Sequence, residues 1–132
     1  SWGCSQSGSM HIGGGGGSGK VSVQDLSFTK YVDKSTSLLM QSVCTGKHFT
    51  EANLVVRKAG ESPLEYLIIK MTDLIISSYS SGGSGGEDKL TENVSLNFAK
   101  VQYKYTEQDS KGKGGASNKM GWDIKKNEKW DG

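Results

Sequence analysis

The chain has 132 residues, enough for one domain with a modest core and too few for a separate catalytic module. Its sixteen basic and fourteen acidic residues leave a formal charge of +2, and the cations are scattered or set among acids, as Lys100, Lys104 and Lys111 are near Glu107 and Asp109. That distribution excludes the concentrated basic face of a nucleic-acid binder.

Three glycine-rich segments punctuate the sequence, Gly8 to Gly19, Gly82 to Gly86 and Gly112 to Gly115, and each reads as a turn-rich loop. From Lys20 to Tyr31, Val21 and Val23 alternate with polar residues, then Leu26 and Phe28 alternate on the opposite parity, so the pattern predicts a strand with a bulge near Asp25. Asp33 to Cys44 breaks this alternation. Leu39, Met40, Val43 and Cys44 recur at helical spacing, Asp33 or Ser35 can cap the start, and Gly46 stands where a left-handed terminator is wanted. One helix is predicted.

Strands follow. His48 to Lys58 carries Leu54 and Val56 on one parity, and Pro63 marks the next turn. Leu64, Tyr66 and Ile68, continued by Leu74 and Ile76, lie on one parity, while Leu67, Ile69 and Met71 fill the other, so Leu64 to Ile69 is apolar on both faces. Leu90 to Tyr105 alternates through Val94, Leu96 and Phe98, then changes parity near Ala99 to Val101, Tyr103 and Tyr105. Trp122 and Ile124 predict a short terminal strand between Gly121 and Trp130. The sum is a mainly β domain, a barrel or sandwich with one helix against it.

Several segments invite a chemical reading that their context denies. The longest apolar stretch, Leu64 to Ile76, is interrupted by Glu65, Lys70 and Asp73, so no crossing of a hydrocarbon layer of about 30 Å is expected. A basic region, apolar run and small-residue cleavage site do not stand at the amino end, so export by the general secretory route is not expected. Gly14, Gly19 and Lys20 match part of a phosphate-binding loop, but Val21 occupies the magnesium-binding position and a strand is predicted to follow. Cys4, His11, Cys44 and His48 are a zinc set by residue type, with spacing unlike a paired-cysteine knuckle, and the two cysteines are expected as free thiols. No metal or cofactor is expected. Asn93-Val94-Ser95 matches a glycosylation acceptor inside a predicted strand. Met10, His11 and Ile12 place apolar groups on a glycine loop, where burial against a second subunit would relieve their exposure.

Separated segments carry a resemblance. SWGCSQSGSMHIGGGGGSGK opens the chain, FTKYVDKSTSLLM follows it, and SSYSSGGSGGEDKLTENVSLNFAKV joins a glycine-serine loop, a charged turn and a strand. With GWDIKKN near the end, the sequence resembles, over nearly its whole length, the Hcp (hemolysin co-regulated protein) family, tube proteins of the bacterial type VI secretion system. The resemblance implies two packed antiparallel sheets closing a β-barrel with one flanking α-helix, assembled as hexameric rings that stack into a hollow tube. It also implies spike and sheath proteins and small effector proteins as partners, assembly in the bacterial cytoplasm, and then secretion or injection. By position, Met10, His11, Ile12, Gly13, Gly17 and Lys20 match the extended loop that reaches a neighbouring ring or subunit. Ser1 matches a lumen position implicated in cargo binding, and Gly82, Gly86, Glu87 and Asp88 match a second rim turn. Family members carry a strand and loop before the position of Ser1, so residues 1–132 are expected as a single domain lacking that first strand, part of a longer chain.

The expected function is therefore a structural, non-enzymatic tube subunit with chaperone-like effector binding. A monomeric β-sandwich module for carbohydrate or protein is the alternative, and a cleft lined by Trp or Tyr would mark it. A hydrolase or metal enzyme built from Cys4, His11, Cys44 and His48 is the third.

Overall fold

The computed structural model describes residues 1–8, 19–60, 64–83, 85–86, 88–108 and 114–132. Eight strands and one helix follow one another as β1 (Cys4–Gln6), β2 (Val21–Val23), β3 (Leu26–Tyr31), α1 (Thr36–Thr45), β4 (His48–Arg57), β5 (Glu65–Gly82), β6 (Thr91–Gln108), β7 (Gly114–Asp123) and β8 (Glu128–Lys129). β1 and β2 form a two-stranded antiparallel sheet. The other strands form a six-stranded sheet in the order β4-β5-β6-β7-β8, with β3 also paired to β6. β3 takes the first half of β6, from Thr91 to Leu96, and β7 takes the second half, from Lys100 to Gln108. Antiparallel strands and one helix agree with the expected class. Hydrogen bonding among the described residues leaves this sheet open, without the closed barrel.

The chain gathers into two compact units, Ser1–His48 with Leu74–Asn97, and Phe49–Asp73 with Phe98–Gly132. Leu26, Leu74, Ile76, Val94 and Leu96 form the buried apolar set of the first. Ile69, Met71, Phe98 and Val101 form that of the second. Full burial of such side chains is worth about 1.5–3 kcal/mol each, before the entropy of ordering them is counted.

The parity changes read from the sequence have a backbone cause in β5. Burial there falls on Ile69 and Met71, then on Leu74 and Ile76. The step lies at Thr72 and Asp73, and Asp73 adopts φ 52°, a left-handed conformation that aspartate tolerates better than most side chains. A one-residue shift of this kind moves the apolar set to the other face. β6 makes the same change between Phe98 and Val101, where the sequence places it.

Three expectations need correction. The shift near Asp25 is present, because Ser27 pairs with Ser1 while Gln24 donates to Gly3, but it divides the strand completely and sends β2 and β3 to different sheets. Asp25 is held there by Ser77 Oγ at 2.6 Å and Asn97 Nδ2 at 2.8 Å. The helix starts at Thr36 with Ser35 as its cap residue, one of the two expected, but its buried residue is Ser42, whose Oγ donates to Leu38 O at 2.8 Å. Leu39 and Val43 are half-buried, whereas Met40 and Cys44 are exposed. Finally, Gly114 and Gly115 belong to β7 rather than a loop, and the terminal hairpin turns after Asp123, with Asn127 at φ 56°. The helix does end as expected on Gly46 at φ 66°, whose N–H meets the Ser42 and Val43 carbonyls.

Glu92 is the polar centre of the first unit. Its side chain is fully buried and forms an ion pair with Lys30 Nζ. It accepts from Tyr79 OH at 2.7 Å, and Thr36 Oγ1 lies 3.1 Å from both carboxylate oxygens. Lys30 also reaches Asp33 Oδ1 at 3.0 Å, and Asp33 in turn accepts from Ser35 N at 2.8 Å at the helix start. Burial pushes the Glu92 carboxyl up, but the bonds from Lys30, Tyr79 and Thr36 together hold it below its ordinary value. The Ser35 hydroxyl and then Lys30 lower Asp33 to about 2. The Glu92 bond raises both Lys30 and Tyr79.

Those directions fix the pH dependence. The depressed carboxylates contribute fully above their ordinary values of 4.5 and 3.8, and their contribution disappears as pH falls through the folded values. The raised groups contribute fully below 10.0 for Tyr79 and 10.5 for Lys30, and that contribution disappears as pH rises past them. Melting temperature measured against pH is expected to fall on both sides of a plateau between these limits. Glu92→Gln is expected to lower the plateau and flatten its acid limb; an unchanged plateau would remove this network from the stability argument. In the second unit, Thr72 Oγ1 is buried without a partner among the described residues. Thr72→Val is expected to raise the unfolding free energy by about 1 kcal/mol in denaturant titration, since an orphan hydroxyl is lost.

Candidate assembly surface

The β1–β2 ribbon is built from the residues on either side of the first long glycine run. Cys4, Ser5 and Gln6 are all exposed, paired in register with Val23, Ser22 and Val21. Pairing continues outward through Ser7 and Lys20: Ser7 Oγ donates to Lys20 O at 2.9 Å and accepts from Lys20 N at 3.0 Å. Gly8 and Gly19 then meet so closely that a Cβ on Gly19 would lie 2.6 Å from Gly8 Cα. A side chain at position 19 is therefore excluded by contact. Inward, Ser1 and Ser27 exchange backbone bonds, Ser27 N donating to Ser1 O at 2.8 Å and the Ser1 amino group to Ser27 O.

The expected site residues divide accordingly. Ser1 is exposed at the inner end of the ribbon strand, and Lys20 is exposed at the loop stem. Met10, His11, Ile12, Gly13 and Gly17 lie outside the described residues, as does Glu87. Gly82 ends β5 and accepts from Thr91 Oγ1 at 3.3 Å, Gly86 sits at φ 129° where a side chain would be strained, and Asp88 is exposed. Ser1 and Lys20 thus belong to the ribbon, and Gly82, Gly86 and Asp88 to the turn between β5 and β6.

Sequence reasoning missed an apolar patch beside that turn. Tyr31 is 58% exposed, Val32 43% and Leu90 52%, and Val32 N donates to Leu90 O at 3.0 Å, so the three are neighbours. Lys89 Nζ stands 5.0 Å from the centre of the Tyr31 ring. Leu38 on α1 adds a further exposed apolar side chain, 57% exposed. The available signal was weak: Tyr31, Val32 and Leu90 flank the ends of strands, where alternation no longer tells inside from outside.

The remaining candidates stay apart from a chemical site. Lys20 leads into strand β2, the context expected from its Val21 neighbour. Cys4 and Cys44 are exposed thiols, and His48 is exposed at the start of β4. His11 lies outside the described residues, and among the described residues no three metal-binding side chains gather. Asn93 is engaged within β6, its Oδ1 accepting from Thr29 Oγ1 at 2.7 Å. Among the described residues no helix is long and apolar enough to cross a membrane. A pocket of about 470 Å³ lies in the second unit, lined by Gln102, Met120, Trp122 and Trp130 among others.

Comparison with known proteins decides the family. Residues 1–105 match the family described as type VI secretion system effector, Hcp. Protein hcp1 of Pseudomonas aeruginosa is 61% identical over 110 residues, covering 82% of this chain and 68% of that protein. The chain belongs to the Hcp family. Structures agree with this assignment: one titled as a type six secretion system protein superposes with a TM-score of 0.89 at 28% identity, over 98% of this chain and 82% of that one. Hcp1 from Salmonella typhimurium gives 0.77 at 37% identity, over 98% of this Hcp chain and 80% of that one. The protein is thus a tube or effector protein of the type VI secretion system.

The glycine contact gives a test. Gly19→Val is expected to open the stem of the ribbon while costing about 1 kcal/mol or less in global stability, because the stem lies outside both apolar cores. Amide exchange at Ser7 and Lys20 should accelerate; unchanged protection there would mean that the stem tolerates a side chain.

Proposed function

We propose that this Hcp chain is a structural, non-enzymatic tube subunit, which forms homo-hexameric rings that stack and hold small effectors in their lumen. The β1–β2 ribbon carries this reading. It is a separate two-stranded sheet with β1 wholly exposed, and such ribbons are marginal in water unless something covers them. A neighbouring subunit would supply that cover, and the loop from Met10 to Lys20 would extend the contact to the next ring. The exposed patch of Tyr31, Val32 and Leu90, beside the Gly82 to Asp88 turn, supports a second contact of the same kind. Closure of the sheet into a barrel, with residues 1–132 as one domain, completes the proposal.

Repetition of one heterologous contact closes a ring when its rotation closes, and a stiff conduit needs no catalytic group. Ser1 would face the lumen and touch cargo. Partners would be further copies of the chain, the spike and sheath proteins, and effectors, with assembly in the cytoplasm followed by secretion. The alternative of a monomeric binding module for carbohydrate or protein has one observation in its favour, the pocket that contains Trp122 and Trp130.

Deletion of Gly13 to Gly17 is expected to abolish stacking while leaving the folded subunit and its melting temperature intact. Light-scattering mass with electron microscopy reads both levels of assembly. Tubes formed as readily by the deleted protein would sink the loop's role, and a stable monomer at high concentration would favour the binding module.

A further inference from the structure

Where β2 gives way to β3, one residue holds the junction. β1 and β2 pair only with each other among the described residues, so the direction of their ribbon is settled at this point. On the ribbon side Gln24 N donates to Gly3 O at 2.9 Å, and on the sheet side Ser1 and Ser27 exchange backbone bonds. Asp25 and Leu26 together therefore stand opposite Trp2 alone, which is a β-bulge. A bulge bends its strand, sharpens the local twist and re-aims whatever lies beyond it.

This bulge is fastened to two further strands. Asp25 accepts from Asn97 Nδ2 on β6 with one carboxylate oxygen, at 2.8 Å, and from Ser77 Oγ on β5 with the other, at 2.6 Å. Asn97 is the residue that the β3–β6 register sets opposite Asp25, one step beyond the last backbone pair, Leu26 with Leu96. Side-chain bonds thus take over where the ladder stops. Leu26 is buried in the apolar core of the first unit, so burial holds one residue of the bulge and the carboxylate holds the other. Both Asp25 bonds lie at the surface, where a hydrogen bond adds little to global stability, and their main effect is on geometry.

The geometry points to Asp25 as a positioning residue for assembly: its carboxylate fixes the direction in which the bulge sends the β1–β2 ribbon, and so presents that ribbon to a second copy of the chain. This inference rests on the reading that a neighbouring subunit covers the ribbon. Without the two side-chain bonds the bulge becomes a swivel, and each contact with a neighbour must then also order the ribbon. A contact surface held in its bound direction beforehand avoids that cost.

The two native cysteines report the direction. Cys4 lies on β1 and Cys44 on α1, both exposed, so nitroxide labels on them span the junction. Labelled chain is diluted into unlabelled chain, so that one subunit is read at a time, and the distance distribution is measured by double electron–electron resonance. Asp25→Ala is expected to shift and broaden this distribution while the melting temperature is retained. On unlabelled protein it should raise the concentration needed for assembly, read by light-scattering mass, by about tenfold. Asp25→Asn with Asn97→Asp exchanges the bonding groups, still sets a donor against an acceptor, and should restore both the narrow distribution and assembly. A role confined to stability would move the melting temperature and neither of these.

A label distribution that Asp25→Ala leaves unaltered overturns the proposal, because the bulge would then keep its direction without the carboxylate. So does a shifted distribution with unchanged assembly, and so does an exchanged pair that folds but restores neither. Should Asp25→Ala fail to fold, Ser77→Ala removes one of the two bonds and is expected to give a smaller shift of the same kind; no shift is equally fatal. If the unaltered chain forms no rings, the tube reading fails instead, and the label distance alone decides whether Asp25 aims the ribbon.

Discussion

A fully buried carboxylate sets the terms for the first unit. Glu92 stands in β6 between residues that face the core, and a carboxylate there is tolerated only if cation and hydroxyl donors reach it. Lys30 reaches it from β3, Tyr79 from β5 and Thr36 from the first turn of α1. One side chain thus constrains three strands and the start of the helix. The Asp33 carboxylate repeats the logic at the surface, joining Lys30 to the Ser35 amide that opens α1.

The long strands obey a different constraint. An eighteen-residue strand with one fixed parity would keep a single apolar face throughout, but β5 and β6 each change face once. In β5 the change is made by the left-handed Asp73, and in the Lys20 to Tyr31 segment by Asp25, where the strand breaks. These are local backbone events with large consequences for burial, because a slip of one residue inverts every side chain beyond it.

Assembly and recognition draw on what these constraints leave at the surface. The ribbon of β1 and β2 and the Tyr31, Val32 and Leu90 patch belong to the first unit. The pocket that contains Trp122 and Trp130 belongs to the second. The family resemblance legible in the first residues and in the Ser77 to Val101 segment agrees with the Hcp match.

The sequence by itself determined the class of fold, the helix and its glycine stop, the parity changes at Asp25 and near Ala99, and the Hcp family. Each is a local property, carried by spacing, by glycine's access to left-handed conformations, or by segments long enough to be recognised. The tertiary structure alone decided which partners answer Glu92, though the sequence held a hint: a glutamate in phase with Val94, Leu96 and Phe98. It also decided that Ser42, and not Met40 or Cys44, turns inward, because a helix with apolar residues on several sides has no unique buried face until something packs against it. The start of β7 was equally invisible, since Gly114 and Gly115 read as part of a loop and become strand because β6 supplies the hydrogen bonds. Pairing between residues distant in sequence is where local chemistry stops being sufficient.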